Sequence, residues 1–136
     1  MIDEHHDAIR TGLRRATLTS LDTGDADHQR ASLDGLMGES LRNVVRPMDF
    51  GFYSEPMAGA SAMLMMLGGR SDRAHVLGFD DPRYRPPPLG AGSSAIYDAT
   101  GNIVSLVQRK VRVVSPGDIY LQAPTIHLVG TVVSTP

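Results

Sequence analysis

The residue types that could carry out chemistry are few and scattered along this chain of 136 residues. His5 and His6 are adjacent, so on a helix their side chains point in different directions and do not converge on one metal ion. Asp80 and Asp81 stand directly before a proline, where aspartates commonly close turns, and we expect a turn there instead of an acid–base pair. His127 falls on the predicted outer face of a short strand, which indicates a surface histidine.

Nucleophilic and phosphate-binding motifs are also missing from the sequence. The chain has no cysteine, which excludes thiol catalysis, disulfides and cysteine zinc sites. Residues 90–94 are rich in glycine and serine, but no lysine follows them and no helix is predicted to begin there, so a phosphate-binding loop is not expected. The sequence contains no Gly-x-Ser-x-Gly motif. We therefore expect no catalysis, no cofactor and no metal.

The charge balance and the hydropathy pattern exclude two further classes of protein. Thirteen basic and fifteen acidic side chains give a formal net charge of -2, which provides no basic excess for nucleic acid. No apolar run approaches the roughly 20 residues that a membrane-spanning helix needs. The first ten residues are charged and lack the apolar region of a signal peptide, so we expect no signal peptide.

The first part of the chain predicts a short helix followed by a small β structure. Ile2, Ile9 and Leu13 recur at helical spacing, which predicts a helical segment over residues 1–14. Short strands separated by turn residues then predict a small barrel or sandwich over residues 15–81. The uncharged run 60–67 is the strongest core segment. The side chains expected in the barrel core are Leu18, Met63, Met65, Leu67, Val76, Leu77 and Phe79.

The last part of the chain predicts an oligomer. Residues 82–92 contain three consecutive prolines and read as a stiff connector. Residues 93–136 then predict about five very short strands, too few and too short to bury their apolar side chains within one chain. Several chains could instead share one core in an intertwined β-prism. Its inward side chains would be Val104, Leu106, Val111, Val113, Ile119, Leu121, Ile126, Leu128 and Val132.

An ordered set of segments between about residues 13 and 125 carries a family resemblance. The chain resembles the Mu-like phage baseplate assembly protein V family, the baseplate spikes of contractile-tailed phages. The segments that match are, in order, 14–18, 49–56, 59–60, 67–72, 80–86, 89–101 and 118–124.

The resemblance implies an all-β homotrimer, with a barrel of the OB type before an intertwined triple-stranded β-helix. It implies a needle that is attached to the baseplate hub and the tail tube of the virion and that pierces the host outer membrane transiently when the sheath contracts. Several family members bind iron at the apex through a His-x-His motif. This sequence has no such motif, so we expect no apical metal and either a separate tip protein or a different tip.

Three other functions stay open at this point. The spike of a tailocin or of a secretion-type contractile system would share the same mechanics. An OB-fold module for nucleic acid or another ligand would need an aromatic platform and a positive groove. The aromatic residues available in the barrel are interpreted as packing residues: Phe50, Phe52, Tyr53 and Phe79. A cell-wall hydrolase would need paired carboxylates in a pocket, which the sequence does not indicate.

Overall fold

The computed structural model describes residues 12–24, 27–35 and 38–136, and the chain divides into two compact units. The first unit ends at Arg83 and the second comprises Tyr84–Pro136, so the boundary falls within the stretch predicted as a connector. The predicted helix lies mostly outside the described residues. Its last two positions, Leu13 and Arg14, are not helical, because they pair with strand residues Met65 and Leu64.

The first unit is a closed barrel in which the strands follow the order β1-β2-β3-β5-β4. All neighbouring pairs are antiparallel except β3 and β5, which are parallel, and β1 closes the barrel against β4. Five strands in this arrangement form an OB-like barrel. Two short 3-10 turns, Leu67–Gly69 and Ser71–Arg73, connect the last two strands. The strands are β1 (Leu13–Asp22), β2 (Gln29–Asp34), β3 (Ser40–Arg46), β4 (Ser61–Met66) and β5 (Ala74–Asp80).

The core of the barrel is built from aliphatic side chains and alanines that alternate along the strands. The largest fully buried side chains are Leu18, Leu33, Leu64, Met66 and Val76. Smaller residues fill the space between them, including Ala31, Ala60 and Ala62. Leu21 and Phe79 are partly buried and pack against this cluster. Of the predicted core residues, Leu18 and Val76 are thus buried and Phe79 is half-buried.

The prediction was wrong for three core residues. Met63, Leu67 and Leu77 are 40%, 49% and 55% exposed, and Met65 is only half-buried. The reason is that β4 carries apolar side chains on both of its faces, so alternation alone does not show which face is inward. A shift of one residue exchanges the two faces of a strand. Pairing with β1 and β5 turns Ala62, Leu64 and Met66 inward instead.

A second correction concerns the aromatic residues of the segment 47–59, which joins β3 to β4. Phe50, Phe52 and Tyr53 were interpreted as packing residues, but they are 104%, 70% and 69% exposed. The polar residue Ser54 makes the contacts with the barrel instead. Its carbonyl oxygen accepts hydrogen bonds from Gln29 Nε2 at 3.0 Å and Arg46 Nη1 at 2.9 Å.

The second unit contains an antiparallel sheet of three strands in the order β6-β7-β8. They are β6 (Ser94–Tyr97), β7 (Ile103–Val107) and β8 (Lys110–Val114). Residues 115–136 form no strand within one chain, so the remaining strands and the triple-stranded β-helix stay a prediction. In the described part of the chain, no helix has the length and apolar character needed to cross a membrane.

Candidate assembly surfaces

The sheet of the second unit has one face that is almost entirely apolar. Val104 on the central strand pairs with Ile96 on one side and Val113 on the other. Leu106 pairs with Val111 in the same way. Directly opposed residues of an antiparallel sheet project from the same face, so these five side chains form one surface. Four of them were predicted to face a shared core, and Ile96 was missed although its alternation with Ala95 carried the same signal.

This apolar face is uncovered in a single chain. Ile96, Val104 and Val113 are 71%, 38% and 55% exposed, and Leu106 and Val111 are 47% and 69% exposed. Isolated exposed apolar residues are ordinary, but a contiguous group on one sheet face marks an interaction surface.

The opposite face of the same sheet is more polar and partly covered. Ala95, Ser105 and Arg112 form one row across the three strands, and Ser105 is buried. A groove of about 400 Å³ runs along this side, lined by Leu89, Ser105, Val107, Gln108, Lys110 and Arg112. The two faces therefore differ in chemistry, and the apolar face is the one that lacks a cover within the chain.

The C-terminal segment 115–136 continues this pattern of uncovered apolar side chains. The predicted core residues Ile119, Leu121, Ile126, Leu128 and Val132 are between 48% and 72% exposed. Val129 and Val133 were not predicted and are even more exposed. Since both faces of the segment are open to solvent in one chain, the structure of a single copy does not distinguish its inner side from its outer side.

The turn between β6 and β7 is fixed by one aspartate. Asp98 Oδ1 accepts hydrogen bonds from the backbone N–H groups of Thr100 and Asn102, at 2.9 and 3.0 Å. Asp98 Oδ2 accepts from Asn102 Nδ2 at 2.7 Å and Thr100 Oγ1 at 2.9 Å. These bonds, with that from the Asn102 side chain largest, lower the pKa of Asp98 to about 2. Contacts within a single chain are therefore sufficient to order this hairpin.

Among the described residues, Asp81 and Ser93 were considered as catalytic or phosphate-binding candidates, and both make local hydrogen bonds instead. The Asp81 carboxylate accepts hydrogen bonds from the Arg83 backbone N–H, Nε and Nη2 at 2.8 to 3.1 Å, and these bonds lower its pKa. Ser93 N–H donates to the Gly90 carbonyl within a turn, not to a phosphate cradle. His5 and His6 lie outside the described residues.

Residues 12–24, 27–35 and 38–136 contain no group of three or more histidines, cysteines or acidic residues that could hold a metal ion. His127 is the one histidine of the second unit, Tyr84–Pro136. His127 is exposed.

The known proteins that this chain resembles include a phage protein and a prophage protein. The family described as Bacteriophage Mu Gp45, N-terminal, matches residues 15–83, which is just over half of the chain and covers the barrel. The chain is 29% identical over 100 residues to the "Baseplate puncturing device gp45" of Escherichia phage Mu. That alignment covers 74% of this chain and 50% of the relative.

A second relative gives a similar result. The "Mu-like prophage FluMu protein gp45" of Haemophilus influenzae is 28% identical over 88 residues, which is 65% of this chain and 48% of the relative. The chain spans about half the length of the curated relatives it matches. The closed barrel over the matched residues and the match itself lead to one conclusion: this chain belongs to the Bacteriophage Mu Gp45 N-terminal family.

Proposed function

We propose that this protein is the central spike of the baseplate of a contractile-tailed phage, and that it works as a homotrimer. In this proposal the second units of three chains form a needle that the contracting sheath drives through the host outer membrane. The barrel joins the needle to the hub and tail tube. Support comes from the family and from a relative named a baseplate puncturing device.

The observation that carries the proposal is the uncovered apolar surface of the second unit. In an isolated chain, Val104, Leu106, Val111 and Val113 face water together. Burial of apolar area stabilises by about 25 cal/mol per Å². A surface of this kind is therefore expected to be covered by a partner, and copies of the same chain supply identical faces around one axis.

The backbone of the C-terminal segment adds a second reason to expect a multimer. Residues 115–136 make no strand pairing within the chain, and no backbone hydrogen bond joins them to another described residue. Backbone N–H and C=O groups next to exposed apolar side chains form a ready template for pairing with another chain. Strands contributed by three copies would pair these backbone groups and cover the apolar side chains in one structure.

The mechanical role follows from this construction. A rod stabilised by continuous hydrogen bonds between chains and by one shared core resists unfolding through a high kinetic barrier. Penetration under axial load requires stiffness, not a reactive side chain. We therefore infer a structural protein of the tail baseplate in the virion, without an enzymatic activity of its own.

The second candidate function is an OB-fold module that binds single-stranded nucleic acid. The exposed rings of Phe50, Phe52 and Tyr53 favour it, because aromatic platforms stack bases. The segment 47–59 that carries them contains two acidic residues, Asp49 and Glu55, and no lysine or arginine. Arg46 and Arg83 donate hydrogen bonds to Ser54 and Ala58 of the segment, so the two carboxylates are balanced and no basic excess is left for a phosphate backbone. The spike is therefore the better supported function.

The test is the mass of the full chain in solution by light scattering, with two matched variants. The wild type is expected at three times the 14.6 kDa of one chain. Val113→Asp places a carboxylate on the apolar face and should reduce the trimer to monomer or aggregate. Val114→Asp, the neighbouring position on the opposite face, should leave the trimer intact. A clean wild-type monomer at micromolar concentration would refute the proposal, and binding of single-stranded DNA would then be measured.

A further inference from the structure

The barrel has a second set of uncovered apolar surfaces that the needle does not explain. The first is the aromatic loop, defined here as residues 49–57, where Phe50, Phe52 and Tyr53 project into solvent and Met57 is 49% exposed. The second is the methionine face, on the outer side of β1, β4 and β5. It consists of Leu13, Met63, Met65 and Leu77.

The methionine face is contiguous because of the strand register. Leu13 pairs directly with Met65 across β1 and β4. Met63 pairs with Arg15 on one side and with Gly78 on the other. A side chain added at Gly78 would meet no atom within 4 Å, so the surface has an open indentation next to Met63. An aromatic ring placed over a strand glycine fills such a gap, and thioether groups pack favourably against ring edges.

The aromatic loop is held in place and is not free to fold back onto its own barrel. Besides the two bonds to its carbonyl, Ser54 Oγ accepts a hydrogen bond from Arg46 Nη2 at 2.8 Å. Glu55 accepts a hydrogen bond from Thr23 Oγ1 at 2.8 Å. A loop fixed in this way presents its rings at a low cost in conformational entropy, which favours binding of a partner.

Carboxylates border one surface and an arginine borders the other. Asp49 and Glu55 flank the rings of the aromatic loop. The exposed Arg15 borders Met63 in the methionine face, and Asp80, which pairs with Ser61, lies at the edge of that face. Opposite charges around an apolar contact select the partner and its register more than they add affinity.

We propose that the aromatic loop of one copy packs on the methionine face of the next copy, so that three barrels form a closed collar. The inference rests on the trimer of the proposed function and adds the surfaces by which its barrels recognise one another. A contact between two different patches of the same chain is head-to-tail, and it closes into a ring when a threefold axis is already present. The proposed needle supplies that axis.

The contact does not have to be stable without the needle. Each aromatic side chain buries roughly 150–250 Å² when it is fully covered, so two or three rings make a small interface. Barrels tethered to one needle meet at a high effective concentration, which compensates for the small area. A collar of this kind is expected to form in the trimer and to separate when the second unit no longer associates.

Cross-linking of the full chain tests the contact, because the natural sequence has no cysteine. The variant Phe52→Cys with Met63→Cys is treated with a short bis-maleimide and analysed in denaturing gels. We expect covalent trimers, since each of three contacts joins two different chains. The control variant pairs Phe52→Cys with Arg42→Cys, an exposed position on β3 outside the methionine face, and should give no covalent trimer.

Light scattering of the same samples separates the two proposals. A trimeric mass with cross-links only inside one chain, or with equal cross-linking in the control, overturns the collar and leaves the spike standing. A monomeric mass overturns both. A trimeric mass with cross-links between chains that require both substituted positions supports the collar.

Fluorescence gives a second measurement that does not depend on cross-linking. The chain has no tryptophan, so Phe52→Trp introduces a single reporter. We expect its emission maximum to be shifted to shorter wavelength in the trimer, because the ring is covered by the neighbouring methionine face. Adding Met63→Glu should move the emission back toward that of a solvated indole. If the trimer of the Phe52→Trp variant, without Met63→Glu, emits at the wavelength of a solvated indole, the proposal is overturned.

Discussion

Arg46, the last residue of β3, binds the segment that follows that strand, and its replacement by methionine tests these contacts directly. Its Nη1 donates to Ser54 O and Gln29 Oε1, both at 2.9 Å, and its Nη2 donates to Ser54 Oγ. The guanidinium lies 5.0 Å from the centroid of the Phe79 ring. Partial burial lowers the pKa of Arg46, but an arginine stays charged throughout the range of ordinary experiments.

The expected loss of stability follows from these contacts. Gln29 is only 5% exposed, and leaving its Oε1 without a partner costs about 1–3 kcal/mol. The cation–π contact adds about 0.5–1 kcal/mol at a half-exposed site. Methionine keeps most of the packing of the arginine stem, so its substitution isolates the polar contacts. We expect Arg46→Met to lower the free energy of unfolding of the barrel by about 3 kcal/mol.

The assay is thermal unfolding of the full chain followed by circular dichroism, with Arg42→Met as the control on the same strand. For a domain of this size each kcal/mol changes Tm by about 4–8 °C, so the barrel transition should fall by roughly 12–24 °C. Arg42 is exposed on the outer face, and its replacement should change stability by less than about 0.5 kcal/mol. Equal changes in Tm for the two variants would refute the role assigned to Arg46.

A double-mutant cycle locates the effect. Ser54→Ala removes the hydroxyl that accepts from Arg46 Nη2 and leaves the carbonyl in place. If the contacts act as described, the combined variant loses less stability than the two single variants together, by at least about 0.5 kcal/mol. Additive losses would show that Arg46 stabilises the barrel without Ser54.

Three further predictions concern the turns and the apolar face. The pKa of Asp98 is depressed to about 2, so its contribution to stability is present above pH 4 and is lost as the pH falls toward 2; NMR titration of the 98–102 turn should show this, and a midpoint near pH 4 would contradict it. Gly59 has a φ of +96°, and an added Cβ would lie 2.9 Å from Arg83 Nη1; Gly59→Ala should therefore destabilise by about 1–3 kcal/mol in denaturant unfolding. Gly51 has a φ of +91° and open space around it, so Gly51→Ala should lower the free energy of unfolding by less. An equal loss in the two variants would show that the clash with Arg83 does not contribute. Val104→Asp should disrupt the trimer as Val113→Asp does, as measured by sedimentation velocity, because the two residues are paired on one face.

Two features of the sequence predicted parts of the fold correctly: glycines and turn residues at strand ends, and alternation of apolar with polar residues along strands. The strand Ser61–Met66 lies within one residue of the predicted run 60–67 at each end, because Gly59 and Gly68 bound that run. Alternation with a period of two also placed Val104, Leu106, Val111 and Val113 on one face. In β8 the charged residues Lys110 and Arg112 occupy one side, so the pattern of that strand distinguishes its faces, and its pairing with β7 extends the distinction across the sheet.

The unpredictable part came from segments whose two sides are chemically alike. The run 60–67 offers apolar side chains in both directions, and the face that includes Met63 was chosen wrongly. Bulges between β1 and β2, β2 and β3, and β4 and β5 also change the alternation at places that the sequence does not mark. The sequence did not indicate the exposure of Phe50 and Phe52 either, since nothing in the order of residues shows that Ser54 is the residue bound to the barrel.

The sequence alone determined local properties: an all-β chain, a break near residues 82–92 and an apolar excess in the last third. These depend on backbone preferences and on neighbours a few residues apart. Only the tertiary structure decided which side of each strand is inward, that β1 closes against β4, and that Arg46 and Gln29 bind the loop. Those features depend on contacts between residues far apart in the chain, whose free energies are set by register and burial and not by any single segment.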